Sequence, residues 1–191
     1  MLSGRTIIAL LAAVTLVVGV AFVGVLYVAI RDAPKQAPKL TAYAHGKTVD
    51  VVPFAYCAVS MRDCQVLPQQ PEDVVATVFE GLPCAAAGCE KGRTAELEVP
   101  PGYPLQLSLP DAVADAPWVA QLVYATEDGQ PVGKVVSHNN YPAGARAITI
   151  DSRPLPELRL IGVELQLPIL AKNQAGREFY VPHAAWSINT V

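Results

Sequence analysis

The chain has 191 residues, 52% of them apolar, and a formal net charge of −3. That length allows one domain plus an accessory segment. The charge is very uneven. Of the 14 basic residues, Arg5 and Arg31 flank the N-terminal apolar run, which leaves 12 basic against 17 acidic residues in 32–191, a balance of −5. An acidic domain of this kind is a poor match for nucleic acid, whose phosphates need a basic face, and for adhesion to an anionic membrane surface.

From Thr6 to Ile30 there is no charged residue and no Asn, Gln or Pro. As a helix this run would measure roughly 37 Å at about 1.5 Å per residue. The hydrocarbon core is about 30 Å thick, so the run is expected to span it with some tilt. Tyr27 near the far end suits an interface position. A cleaved signal peptide is the rival reading, but its apolar region is about 7–15 residues long. A cut after Gly19-Val20-Ala21 would leave a further apolar stretch, and Tyr27 is too bulky for the −3 position of a cut after Ala29. Residues 1–31 are therefore read as an uncleaved signal anchor, residues 32–39 as a Pro-rich charged linker, and residues 40–191 as one β-sandwich domain.

Orientation is argued from two sides. Arg31, Lys35 and Lys39 outnumber Arg5 and the amino terminus, which favours a cytoplasmic C-terminal domain. Long domains, however, translocate largely regardless of charge. The four cysteines also fall in two close pairs, Cys57/Cys64 and Cys84/Cys89, as expected of an oxidising compartment. The second argument is preferred, and the domain is expected to be extracytoplasmic.

Beyond the linker, Leu40 to Ala44 and Val49 to Phe54 flank a hairpin-like break at His45-Gly46-Lys47. Pro71 to Phe79 suits either a short helix, with its early acids and proline, or a β-branched strand. Glu96 and Glu98 share a strand face, read as solvated rather than as an acid–base pair. Leu105 to Leu109 alternates strictly between apolar and polar. Pro100, Pro101, Pro104 and Pro110 bracket that strand and favour an edge position. Trp118 to Thr126 is an aromatic and branched run, and Asp128-Gly129 turns it into a return strand from Pro131 to His138. Ala147 to Ile150, Leu158 to Leu167, Phe179 to Val181 and Ala184 to Ile188 are further strands, with a turn at Asn173 to Gly176. Seven to nine short strands broken by Pro and Gly predict an all-β, antiparallel immunoglobulin-like sandwich.

The four cysteines permit three pairings. The local one, Cys57–Cys64 with Cys84–Cys89, is preferred because both intervening segments look like turns. On the chain-entropy model each closure contributes roughly 2–2.5 kcal/mol. C-x6-C with C-x4-C is a poor zinc spacing, so no metal site and no cofactor is expected. C-x-x-C of a thiol oxidoreductase is absent.

His45, His138 and His183 have no helical partner histidine. Ser137 and His138 are neighbours on one strand and would point to opposite faces, and no G-x-S-x-G elbow occurs. Glu164 is the oddest charge, inside an apolar strand. It is read as facing solvent by alternation or pairing with Arg159 or Arg177. Trp118, Tyr124, Phe179, Tyr180 and Trp186 are most simply core or sheet-face residues, although an exposed aromatic cluster would mark a ligand or partner surface. No catalytic residue is assigned.

The order of an apolar anchor, Tyr56-Cys57, Asp63-Cys64, Val99-Pro100, Leu105 to Pro110, Asp115-Ala116-Pro117-Trp118 and Tyr124 resembles an uncharacterised actinobacterial family of small membrane-anchored or exported envelope proteins, a domain of unknown function. The resemblance covers nearly the whole chain and carries over no functional residue. Cys84 and Cys89 stand outside its pattern. It implies an envelope setting. The leading expectation is a non-catalytic module at the membrane that binds an envelope protein or lipid partner. A lipid or small-molecule carrier with an apolar cavity and a hydrolase using His138 or His183 are the alternatives.

Overall fold

The structure, a computed structural model, describes residues 4–31, 36–68, 76–173 and 175–191. The side chains of residues 4–13, 31, 76 and 77 lie outside that description. The chain divides into two units, Met1–Gln36 and Ala37–Val191.

The first unit is a single helix, α1 (Gly4–Arg31), continuous over 28 residues. It has no proline to break the ladder and no acid in its first turn. Its side chains from residue 14 to 30 are exposed and apolar, with Val25 and Ile30 among the most open. Among the fully described residues no helix is long and apolar enough to cross a membrane. That description covers residues 14–30 of α1, whereas the helical backbone is longer.

The second unit is mostly β, with antiparallel sheets consistent with a sandwich. One sheet has four strands in the order β10 (Ala147–Ile150), β7 (Leu105–Ser108), β1 (Leu40–Ala44), β2 (Lys47–Val51). The other runs β5 (Glu90–Gly92), β4 (Cys64–Pro68), β3 (Ala55–Cys57), β12 (Glu178–Asn189), β11 (Arg159–Lys172), β8 (Val119–Ala125), β9 (Pro131–Ser137), and β6 (Ala95–Glu96) lies beside β12. The β4–β5 and β6–β12 pairs are parallel and the rest antiparallel.

Alternation explains which faces meet. Leu40, Ala42 and Ala44 are buried while Tyr43 is exposed, and Leu105 and Leu107 of β7 are buried with Ile148 and Ile150 of β10. From the larger sheet, Ala120, Leu122 and Tyr124, Val163, Leu165 and Leu167, and Ala184, Trp186 and Ile188 join the same apolar cluster. Register locks them: Val163 faces Ile188, Leu165 faces Trp186 and Leu167 faces Ala184. A one-residue slip would turn the whole set outward. The buried aromatic tips find partners, as burial requires. Tyr124 donates its hydroxyl hydrogen to the Asp151 carbonyl at 3.0 Å, and Trp186 Nε1 donates to the Pro38 carbonyl at 2.9 Å.

Two expectations are corrected or located. β7 is not an edge strand: it lies between β10 and β1. The prolines that suggested an edge sit outside its ladder, in the turn before it and, for Pro110, at the start of the short helix α3 (Asp111–Ala114). They therefore remove no sheet hydrogen bond. Of the segment Pro71 to Phe79, residues 71–75 lie outside the described residues, and Ala76–Phe79 forms a helical turn, α2.

Candidate functional site

Each cysteine belongs to a small lobe at the β5–β4–β3 end of the larger sheet. Cys57 and Cys64 face each other across β3 and β4 and are joined by a disulfide. Cys84 and Cys89 form a second one. The lobe is tied at this point: Cys64 N–H donates to the Pro83 carbonyl at 3.1 Å, and Ala85 N–H donates to the Cys64 carbonyl at 2.8 Å. Cys89 Sγ lies 3.4 Å from the same carbonyl, a contact and not a hydrogen bond, because a disulfide sulfur has no proton. Phe54, Ala55, Cys57, Cys64 and Phe79 make a separate, small core. So few apolar residues bury little area, and cross-links supply what the core does not. Among the described residues no group of His, Cys, Asp or Glu could hold a metal ion.

The histidines are separated. His45 stacks on Tyr103, ring centroids 4.1 Å apart. His183 Nδ1 lies 2.9 Å from the Cys57 carbonyl. A carbonyl accepts only, so Nδ1 is the donor in this contact. His138 Nδ1 lies 3.4 Å from the Trp118 carbonyl. Nδ1 of His138 and Nδ1 of His183 thus each lie beside a backbone carbonyl. Ser137 closes a turn: its N–H donates to Asn140 Oδ1 at 2.8 Å, around the 3-10 turn His138–Asn140.

The carboxylates divide the same way. Glu98 is fully exposed and pairs with Lys47 at 2.7 Å, and that hydrogen bond and charge hold its carboxyl below the usual range. Glu96 is exposed as well. Glu164 is half-buried on the outer face of β11, where Gln166 donates to it. Its register partners Gln121 and Ser187 are polar too.

Two surface clefts lie among the described residues. One, of about 300 Å³, is lined by Asp115, Ala116, Pro117 and Trp118 with His138 and Gly144. Gly144 has φ +67°, a backbone conformation that favours glycine. The other, of about 430 Å³, lies beside the β8–β9 turn, where Arg153 and Arg159 are balanced by Glu127 and Glu157.

The aromatic residues split into two classes. Trp118, Tyr124 and Trp186 are buried to within 2%. Phe179 and Tyr180 are 44% and 74% exposed, beside Leu170 at 56%. All three sit on the far part of the β11–β12 hairpin. β8 accompanies β11 only from Arg159 to Gln166, and β3 meets β12 only at Ala184 and Ala185. From Pro168, opposite Pro182, to Lys172, opposite Glu178, each strand pairs with the other alone among the described residues. Two facing prolines, lacking N–H donors, mark where the sheet becomes a two-stranded ribbon.

The family model described as "Protein of unknown function (DUF2771)" matches residues 33–191, the whole second unit with its two disulfides, its clefts and its ribbon. The chain belongs to this family. Uncharacterized proteins of Mycobacterium bovis and of two strains of Mycobacterium tuberculosis are 32% identical over 163 residues, which covers 85% of this chain and 83% of each relative. No solved structure matches the chain. The mycobacterial relatives agree with the actinobacterial resemblance drawn from Tyr56-Cys57, Asp63-Cys64 and Asp115 to Trp118. In this DUF2771 member the first motif lies at the disulfide lobe and the last lines the smaller cleft.

Proposed function

We propose that this DUF2771 protein is a membrane-anchored, extracytoplasmic binding or accessory module of the cell envelope, without catalysis of its own. α1 is the single span, held by its uncharged run from Thr6 to Ile30, and the β domain stands on the outer side. Its sandwich is immunoglobulin-like in the broad sense of two antiparallel sheets packed over one core.

The observation that carries the reading is α1 itself. Its helical backbone runs for 28 residues, and its described side chains are exposed and apolar. About 20 apolar residues suffice to cross a bilayer, and a helix that is apolar all round is stable only when buried or in lipid. The two disulfides support the outer side, because such bonds persist in oxidising compartments. The ribbon with Leu170, Phe179 and Tyr180 supports binding, since exposed apolar patches on soluble domains mark interaction sites.

The test is alkaline carbonate washing of native membranes. The full chain is expected to stay in the membrane pellet, and a chain lacking residues 4–31 to be released. Release of the full chain would end the anchor reading.

A further inference from the structure

We infer that the β11–β12 ribbon beyond Pro168 and Pro182 inserts its tip into the interfacial layer of a lipid bilayer. The inference rests on the anchor reading above and adds a second membrane contact to it.

The first argument is the distribution of apolar side chains over the ribbon. Leu170 faces Tyr180 across the ladder, and Ala171 faces Phe179. Consecutive residues on a strand point to opposite faces. Leu170 and Tyr180 therefore occupy one face, and Ala171 and Phe179 the other. A protein partner lying on the ribbon would cover one face and leave the other in water. The interfacial layer of a bilayer surrounds both at once. Tyr also suits that layer, with an apolar ring and a polar tip.

The second argument is charge. Between Gln166 and His183 the charged residues are Lys172, Arg177 and Glu178, a balance of +1 on a domain of −5. Lys172 and Glu178 pair at 3.0 Å. Arg177 lies in the turn, where its N–H donates to Asn173 Oδ1. The ribbon end is thus a cationic tip on an acidic domain, suited to anionic headgroups.

Tryptophan at the tip provides the probe. Trp118 and Trp186 are each 1% exposed and form a constant background. The full chain, as Tyr180→Trp and separately as Phe179→Trp, is reconstituted in vesicles of phosphatidylcholine and phosphatidylglycerol carrying bromine on the upper acyl chain. Val135→Trp on β9, an exposed site level with Glu164 across β8, is the control. The expected result is a severalfold larger quenching loss at 179 and at 180 than at 135. Quenching at either tip position no greater than at 135, in a chain that still resists carbonate, overturns the insertion and leaves the ribbon to a protein partner. A chain that carbonate washes off the vesicles ends the anchor reading, and this inference with it.

Discussion

The β11–β12 hairpin contains two regions with opposite chemistry on the same pair of strands. Up to Leu167 it is the centre of the larger sheet, flanked on both sides, with Val163, Leu165, Trp186 and Ile188 buried. Past Pro168 and Pro182 apolar residues continue, but no further strand among the described residues flanks the ribbon, and Leu170, Phe179 and Tyr180 stand in the open. The difference shows that an apolar strand pattern specifies burial only where neighbouring strands supply a face to bury it against. Where two prolines remove the donors, the pattern serves as a surface.

The largest effect is expected at the base of the hairpin. Trp186→Ala removes a core indole and its bond to Pro38, and should cost about 3–5 kcal/mol, read as a lower urea midpoint for the full chain in detergent. Next comes Gly92→Ala in the disulfide lobe. A Cβ there would lie 1.8 Å from the Phe54 carbonyl oxygen, so backbone must move, at about 3 kcal/mol, the upper end of ordinary overpacking. A midpoint unchanged from the parent would show that β5 does not approach Phe54 so closely.

A smaller loss follows from opening the lobe's cross-link. Cys57→Ala with Cys64→Ala should cost about 2.5 kcal/mol on the loop-entropy model. The parent treated with reductant should lose at least as much, since it loses the Cys84–Cys89 closure as well. The ribbon is the contrasting case. Leu170→Ser and Tyr180→Ser should stay within about 0.5 kcal/mol of the parent, measured in the same way. A core-sized loss there would mean that the tip is packed.

The smallest effect is electrostatic. Glu98 has its pKa lowered by Lys47, so any contribution of the pair is present above the ordinary carboxylate range and is lost as pH falls through the lowered value. The pair is exposed on both sides, and its stability contribution is that of a surface ion pair, small and screened by salt. Lys47→Met should move the Glu98 titration, followed by NMR, back up towards the ordinary range.

Much of the fold is legible in the residues. Strict alternation marks β7, the Asp128-Gly129 turn marks the β8–β9 pair, and His45-Gly46 marks the β1–β2 pair, because each signal is local. The long hairpin is less legible. The expected strands stop at Leu167 and at Val181, just short of Pro168 and Pro182, whereas β11 and β12 run through both prolines. On a ribbon with one neighbour per strand, however, a proline can turn its missing donor outward and the strand runs on. The edge expected for β7 has the same cause in reverse, since prolines beside a strand look in sequence like prolines within it. The aromatic residues of the candidate surface were also not separable by type. Tyr124 and Tyr180 are the same residue in similar runs, and only the neighbouring strands make one core and the other surface.

The proposed function puts α1 across the membrane and the disulfide-tied domain on its outer side. Its most direct test is labelling of intact cells with a membrane-impermeant maleimide, with and without an impermeant reductant. The prediction is no labelling of Cys57, Cys64, Cys84 or Cys89 without reductant and labelling after it. Labelling that appears only once the cells are permeabilised, without any need for reductant, would place reduced cysteines on the inner side and contradict the account.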